Sequence, residues 1–175
     1  LDAYYLCNKL RIACEMVSRS RMLQEDYHPH LIDDVLKEYT SNIERYAQFP
    51  ALHIYSIAYH FLTQHNTVGY QELKRVLQHN TIVSKAELRH LYTYMLNFSV
   101  RQINYGRTEY YAEVFHVYQS LMEQDLLLQH GYLTARTFIN ATTTAIRLQE
   151  YGWTKQFMQE YQSRLKADEQ QNVID

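Results

Sequence analysis

Two stretches of the sequence repeat one another at a constant offset of 43 residues. Residues 97–122 align with residues 140–165, and the matched positions include Asn97 with Asn140 and Ile103 with Ile146. Periods of about 40–47 residues are typical of stacked helical hairpins, in which each hairpin buries its apolar face against the next. The repeat therefore favours a fold built from one recurring supersecondary unit.

Apolar residues recur at helical spacing along the whole chain, and only 4 Gly and 2 Pro are present to interrupt helices. Helix 50–64 is apolar around most of its circumference and is expected to be central. Ser84 and Glu87 form a capping box at the start of a later helix. We predict eight helices, at about residues 1–20, 32–46, 50–64, 67–80, 84–104, 108–128, 133–149 and 153–167.

Short connections make successive helices pack antiparallel, so eight helices form about four hairpins. We therefore predict an all-α fold, a right-handed stack of about four antiparallel hairpins that forms an α-solenoid. Residues 1–167 are expected to be one helical-repeat domain, with the clearest repeats at 84–128 and 130–167. Residues 168–175 are expected to be a tail or the start of a further helix. Because the sequence begins at Leu1 and no polar cap closes the stack, we expect a fragment of a longer protein.

The last two hairpins resemble tetratricopeptide-type and related helical-repeat proteins. Residues 138–165, FINATTTAIRLQEYGWTKQFMQEYQSRL, have the layout of such a unit: a helix, a turn with Gly and aromatic residues, and a second helix. The resemblance covers about the last 75 residues of the chain. It implies a tetratricopeptide-like fold and a role as a scaffold or peptide-binding platform.

The charge balance gives no general reason to expect a nucleic-acid or membrane partner. The chain has 17 basic and 19 acidic residues, for a net charge of −2. It contains no run of about eighteen apolar residues and no signal-peptide pattern. We therefore expect a protein or peptide partner, no membrane association and a cytoplasmic location. Nucleic acid is not expected as a partner, and the oligomeric state is left open.

The candidate binding residues are polar stripes on the first helices of the predicted hairpins. One stripe, at about 100° per residue, contains His90, Thr93, Asn97, Arg101 and Asn104. The next repeat reproduces it with Arg136, Asn140, Thr144 and Arg147, and helix 50–64 offers His53, Ser56, His60 and Gln64. In a right-handed stack these stripes would form one ladder suited to the backbone of an extended peptide, with Asn97 and Asn140 both exposed. The alternative is that they are only solvated faces of amphipathic helices.

No catalytic motif stands out, because Gly-x-Ser-x-Gly and Gly-rich phosphate loops are both missing. We therefore expect no enzymatic activity and no cofactor. The spacing Glu-x-x-His, which can place two ligands on one metal, occurs three times, at Glu25/His28, Glu87/His90 and Glu113/His116. We expect no metal site, since Glu113 and His116 lie opposite the apolar arc of their helix and should face water.

Two other functions stay open. The chain could be a compact helical bundle with a buried metal or small-ligand site. It could also be a regulatory domain that binds nucleic acid through Arg101, Arg136 and Arg147, which share a helix face.

Tyrosine is unusually frequent, with 17 residues in the chain. Several lie in clusters at helix starts and turns, where a ring can pack while its hydroxyl reaches water or a carbonyl. We interpret them as packing residues at hairpin junctions or, alternatively, as a recognition surface. The clustered residues are Tyr4, Tyr5, Tyr92, Tyr94, Tyr105, Tyr110 and Tyr111.

Overall fold

The computed structural model describes residues 2–23, 27–64, 67–78 and 83–165, and it confirms the all-α class. The predicted tail at 168–175 lies outside the described residues. In the described part of the chain, no helix is both long enough and apolar enough to span a membrane. The helices in chain order are α1 (Asp2–Met22), α2 (Ile32–Ser41), α3 (Ile43–Tyr46), α4 (Pro50–Gln64), α5 (Thr67–Gln78), α6 (Lys85–Asn104), α7 (Tyr110–Glu123), α8 (Ala135–Arg147) and α9 (Tyr151–Tyr161).

The chain folds as two compact units, and the boundary falls between Ser84 and Lys85. The first unit contains α1–α5 and the second contains α6–α9. A single repeat domain over residues 1–167 and a right-handed stack both stay predictions.

Helix α4 is the centre of the first unit, as its apolar circumference predicted. It packs on α1 and on α5, and α1 also packs on α2. Tyr55, Phe61 and Leu52 are among the most completely buried side chains of the chain. Pro50 is the first residue of α4, where its missing N–H removes no intrahelical hydrogen bond.

In the second unit, each helix packs on the next one along the chain, so that α7 lies against both α6 and α8. The two hairpins share one turn geometry. Helix α6 ends at Asn104 and α8 ends at Arg147, 43 residues later, and Gly106 and Gln149 follow with φ values of 85° and 62°.

Backbone hydrogen bonds at these two turns also match at the same offset. Gly106 donates to the carbonyl of Ile103 at 2.9 Å, and Gln149 donates to that of Ile146 at 2.9 Å. The following amides donate to the carbonyls of Gln102 and Ala145, at 3.0 and 2.9 Å. Both turns are therefore Schellman motifs, in which a left-handed residue closes the helix end.

The single predicted helix at 32–46 is wrong, because the chain is interrupted at Asn42 between α2 and α3. Asn42 has φ −133°, outside the helical range, and its side-chain amide donates to the carbonyl of Glu38 at 3.0 Å. Asparagine side chains compete in this way with the backbone hydrogen bonds of a helix.

The predicted helix at 108–128 is too long, since α7 ends at Glu123 and residues 124–134 form an irregular connection. His130 and Gly131 have φ values of 53° and 85° and form a tight turn between Gln129 and Tyr132. Arg89 of α6 hydrogen-bonds to this connection. Its Nε donates to the carbonyl of Leu126 at 2.7 Å and its Nη2 to that of Leu128 at 2.8 Å.

Candidate functional site

The polar stripe of α4 lines an open cleft of about 390 Å³ in the first unit, called here the α4 cleft. Helices α2 and α3 contribute one wall and α5 contributes the other. Such a volume falls in the range of about 300–1,000 Å³ that is typical of ligand sites. The lining residues are His53, Ser56, Ile57, His60 and Gln64 of α4, Tyr39 and Ile43 of the first wall, and Val68, Gly69 and Glu72 of the second.

Tyr39 holds the ring of His53 in place. The Tyr39 hydroxyl and His53 Nδ1 are 2.8 Å apart, and Tyr39 is itself buried. Burial raises the pKa of Tyr39, so the phenol keeps its proton and can donate it to Nδ1. Nε2 is the other ring nitrogen of His53 and can bond to a bound group.

The α4 cleft combines a few polar groups with an apolar floor. Ser56 and Ile57 are buried, His60 is half-buried, and Gln64 and Glu72 are exposed at the rim. Imidazole and amide groups can bond to a peptide backbone, while aliphatic side chains can take an apolar side chain of the ligand. The arrangement suits binding of an extended segment.

The stripe on α6 faces solvent for most of its length. His90, Thr93, Asn97 and Asn104 are exposed, and Arg101 is half-buried. Thr93 donates to the carbonyl of Arg89 at 2.8 Å, one turn earlier in the same helix. These side chains are accessible to a partner.

Two residues of the α8 stripe contact tyrosines of α7. Arg147 Nη1 donates to the Tyr111 hydroxyl at 2.9 Å, and its Cζ lies 4.4 Å from the centre of that ring. Asn140 is exposed but forms a side-chain hydrogen bond with Tyr118, a buried residue of α7. Within the described residues, α6 and α8 are not among the helix pairs in extensive contact.

Thr144 departs from the sequence prediction, because it is only 6% exposed and cannot line a surface. It lies one turn after Asn140 and one turn before Arg147, and both of these side chains reach tyrosines of α7. Helices α7 and α9 both pack on α8. Arg136, in the first turn of α8, is exposed.

The other candidate sites receive little structural support. Glu113 and His116 are half-buried, and each has a contact within the chain, whereas both were predicted to face water. Glu25 lies outside the described residues. In the described part of the chain, no group of three or more His, Cys, Asp or Glu side chains is arranged to hold a metal ion.

Cys14 is a buried thiol of the first unit. Cys14 is fully buried, its Sγ donates to the carbonyl of Tyr55 at 3.6 Å, and burial raises its pKa. A buried thiol of this kind behaves as a small apolar side chain.

Comparisons with protein-family models, curated proteins and solved structures gave no match to this chain.

Proposed function

We propose that the chain is a non-enzymatic helical-repeat module that binds an extended segment of a protein or peptide partner in the α4 cleft. The observation that carries the proposal is the α4 cleft itself, where His53, His60 and Gln64 line a concave surface together with aliphatic side chains. Concave, mainly apolar surfaces with a few convergent polar groups are the usual form of a binding site.

The bound segment would place backbone carbonyls opposite the imidazoles and one apolar side chain over Ile57 and Val68. His53 is prepared for this role because Tyr39 fixes its ring before the ligand arrives. Such preorganisation increases affinity, since less side-chain freedom is lost on binding. Glu72 at the rim would favour a partner with a basic residue near the segment.

We also propose that the hairpins belong to a tetratricopeptide-like stack. The matched turns after Asn104 and Arg147 support a repeated unit in the second half of the chain. The α8 stripe contributes less to binding in this account, because Asn140 and Arg147 already contact α7.

The test is a selection from a random peptide library displayed on phage, with the full chain immobilised. Enriched peptides are then titrated against His53→Ala/His60→Ala. We expect the double variant to bind about tenfold more weakly, which corresponds to two hydrogen bonds of about 0.5–1.5 kcal/mol each. Glu72→Lys, an exposed change at the rim, tests the same cleft without removing the Tyr39 contact.

The matched control is His90→Ala/Asn97→Ala, which alters the exposed stripe of α6 and should leave binding unchanged. The proposal fails if no peptide is enriched. It also fails if the enriched peptides are insensitive to both changes in the α4 cleft while all variants keep the circular dichroism spectrum of the parent chain.

A further inference from the structure

A second cleft, of about 510 Å³, lies beside the first turns of α1. It is called here the tyrosine cleft, and it shares no lining residue with the α4 cleft. Its walls come from α1, from α2 and from α3. The lining residues are Asp2, Tyr4, Tyr5, Leu6, Asn8, Glu38 and Tyr46.

Three of these lining residues are tyrosines, and two of them are displayed to solvent. Tyr4 is 73% exposed and Tyr5 is 57% exposed, whereas Tyr46 is buried at 3%. Two adjacent, exposed tyrosines on a helix bury little of their own apolar surface in the fold. Aromatic rings carry negative charge on their faces and attract cations that lie within about 6 Å of the ring centre.

The tyrosine cleft already holds one cation of the chain. Arg45 Nη2 lies 3.0 Å from Asp2 Oδ2, its Nη1 lies 3.8 Å from Glu38 Oε1, and its Cζ lies 5.5 Å from the centre of the Tyr46 ring. Two carboxylates against one guanidinium leave this cleft with a net negative charge. A ligand cation would therefore be attracted even with Arg45 in place.

Hydrogen bonding decides which kind of cation fits best. Asp2 Oδ2 accepts from Arg45, and Glu38 Oε1 accepts from the Tyr46 hydroxyl at 2.9 Å. Because these two oxygens already have donors within the chain, a ligand cation that needs no hydrogen-bond acceptor can enter the cleft without displacing Arg45 or the Tyr46 hydroxyl. A fully methylated ammonium donates no hydrogen bond and is attracted by ring faces and net charge alone.

We propose that the tyrosine cleft binds a trimethylated ammonium group, as found on trimethyl-lysine or choline. The methyl groups pack on Tyr4, Tyr5 and Leu6, while Asp2 and Glu38 provide the balancing charge. The Tyr46 ring, which Arg45 already faces, forms the inner end of the cleft. This site does not depend on peptide binding in the α4 cleft.

The experiment is a nuclear magnetic resonance titration of the full chain with three probes: acetyl-trimethyl-lysine methylamide, choline, and the uncharged analogue of the first probe in which carbon replaces the quaternary nitrogen. We expect saturable binding of a charged probe that is about tenfold tighter than binding of its uncharged analogue, because only the charged form gains the attraction of the rings. Tighter binding of the lysine probe identifies a modified protein as the source, and tighter binding of choline identifies a headgroup or small metabolite.

Variants then locate the site. Tyr4→Leu/Tyr5→Leu should lower the affinity for the charged probe about tenfold. The control Tyr105→Leu, at a position that is also 73% exposed, should leave that affinity unchanged. His53→Ala/His60→Ala should have no effect, which separates this site from the α4 cleft. Equal binding of the charged and uncharged probes, absence of saturable binding, or full affinity in Tyr4→Leu/Tyr5→Leu would each overturn the proposal.

Discussion

Asn97 and Asn140 are equivalent in the sequence repeat, but their surroundings differ. Both are exposed, yet only Asn140 has its side chain placed against a buried tyrosine of the neighbouring helix. Its hydrogen bond lowers the pKa of Tyr118, although burial has the larger and opposite effect. An amide that donates to the phenol oxygen explains that direction, because it stabilises the ionised form. An exposed residue such as Asn140 can therefore stabilise the packing of two helices.

We expect Asn140→Ala to be less stable than Asn97→Ala by about 1 kcal/mol, because only the first change leaves the buried phenol oxygen of Tyr118 without its donor. Both changes place alanine in a helix, so the gain in helix propensity cancels in the comparison. Urea unfolding of the two variants measures the difference. Equal free energies of unfolding would contradict the assigned role of Asn140.

Tyr118 should also make stability sensitive to alkaline pH. Burial raises its pKa from 10.0 to about 12, so the unfolded chain loses this proton before the folded chain does. The raised pKa of Tyr118 contributes on the order of 2–3 kcal/mol to the free energy of unfolding. This contribution is complete below pH 10 and is lost as the pH rises towards 12. Between pH 9 and 11 the free energy of unfolding should fall less steeply in Tyr118→Phe than in the parent chain. The same dependence of the free energy of unfolding on pH in both proteins would contradict the raised pKa of Tyr118.

At the scale of elements, the two turns that close α6 and α8 use different residues for one backbone shape. Gly106 adopts the left-handed conformation without side-chain strain, whereas Gln149 adopts it at φ 62° with a Cβ present. A Cβ at Gly106 would meet no atom within 4 Å, so any penalty there comes from the backbone alone.

We expect Gly106→Ala to lower the free energy of unfolding by about 1 kcal/mol and Gln149→Gly to raise it by up to about 1 kcal/mol. Gly152 is the control, because it lies inside α9 and a Cβ there also meets no atom within 4 Å. Gly152→Ala should stabilise the chain through helix propensity. Thermal unfolding measures the change in stability. A change of the same sign in Gly106→Ala and Gly152→Ala would contradict the role of the left-handed backbone at Gly106.

Arg89 of α6 makes two hydrogen bonds to the connection between α7 and α8. Arg89→Ala should lower stability by about 2–3 kcal/mol, because two charge-assisted hydrogen bonds to Leu126 and Leu128 are lost together. Arg89→Lys should recover only part, since one ammonium cannot reproduce the guanidinium fork. Arg136→Ala, at an exposed position, should change stability by less than about 0.5 kcal/mol. Equal effects of the two alanine changes in urea unfolding would refute the role of Arg89.

Helical spacing was sufficient to predict the class of the fold and the central place of α4, because both depend on which residues avoid water. Helical spacing did not predict where α7 ends. Leu126 and Leu127 are buried in the irregular connection, and the same two residues would also have been buried in a longer α7. Helical spacing also failed at Thr144. A polar arc indicates which face is not apolar, but it does not reveal that a neighbouring helix offers tyrosines to that face.

At the scale of the whole molecule, the binding surfaces depend on how several helices pack together. The α4 cleft needs Tyr39 of α2, His53 of α4 and Glu72 of α5, and no motif joins these positions. The sequence identified the α4 stripe as one of three equivalent candidates. The packing of α2, α3 and α5 around it places this stripe in the α4 cleft.

The most direct test of peptide binding in the α4 cleft is a methyl nuclear magnetic resonance spectrum of the full chain, labelled at Ile, Leu and Val, with and without a peptide from the phage selection. The largest shifts are expected at Ile43, Ile57 and Val68, which line the cleft. Ile139 and Ile146, exposed on α8, should remain unshifted. Shifts centred on Ile139 and Ile146, with the three cleft methyl groups unchanged, would contradict the proposed function.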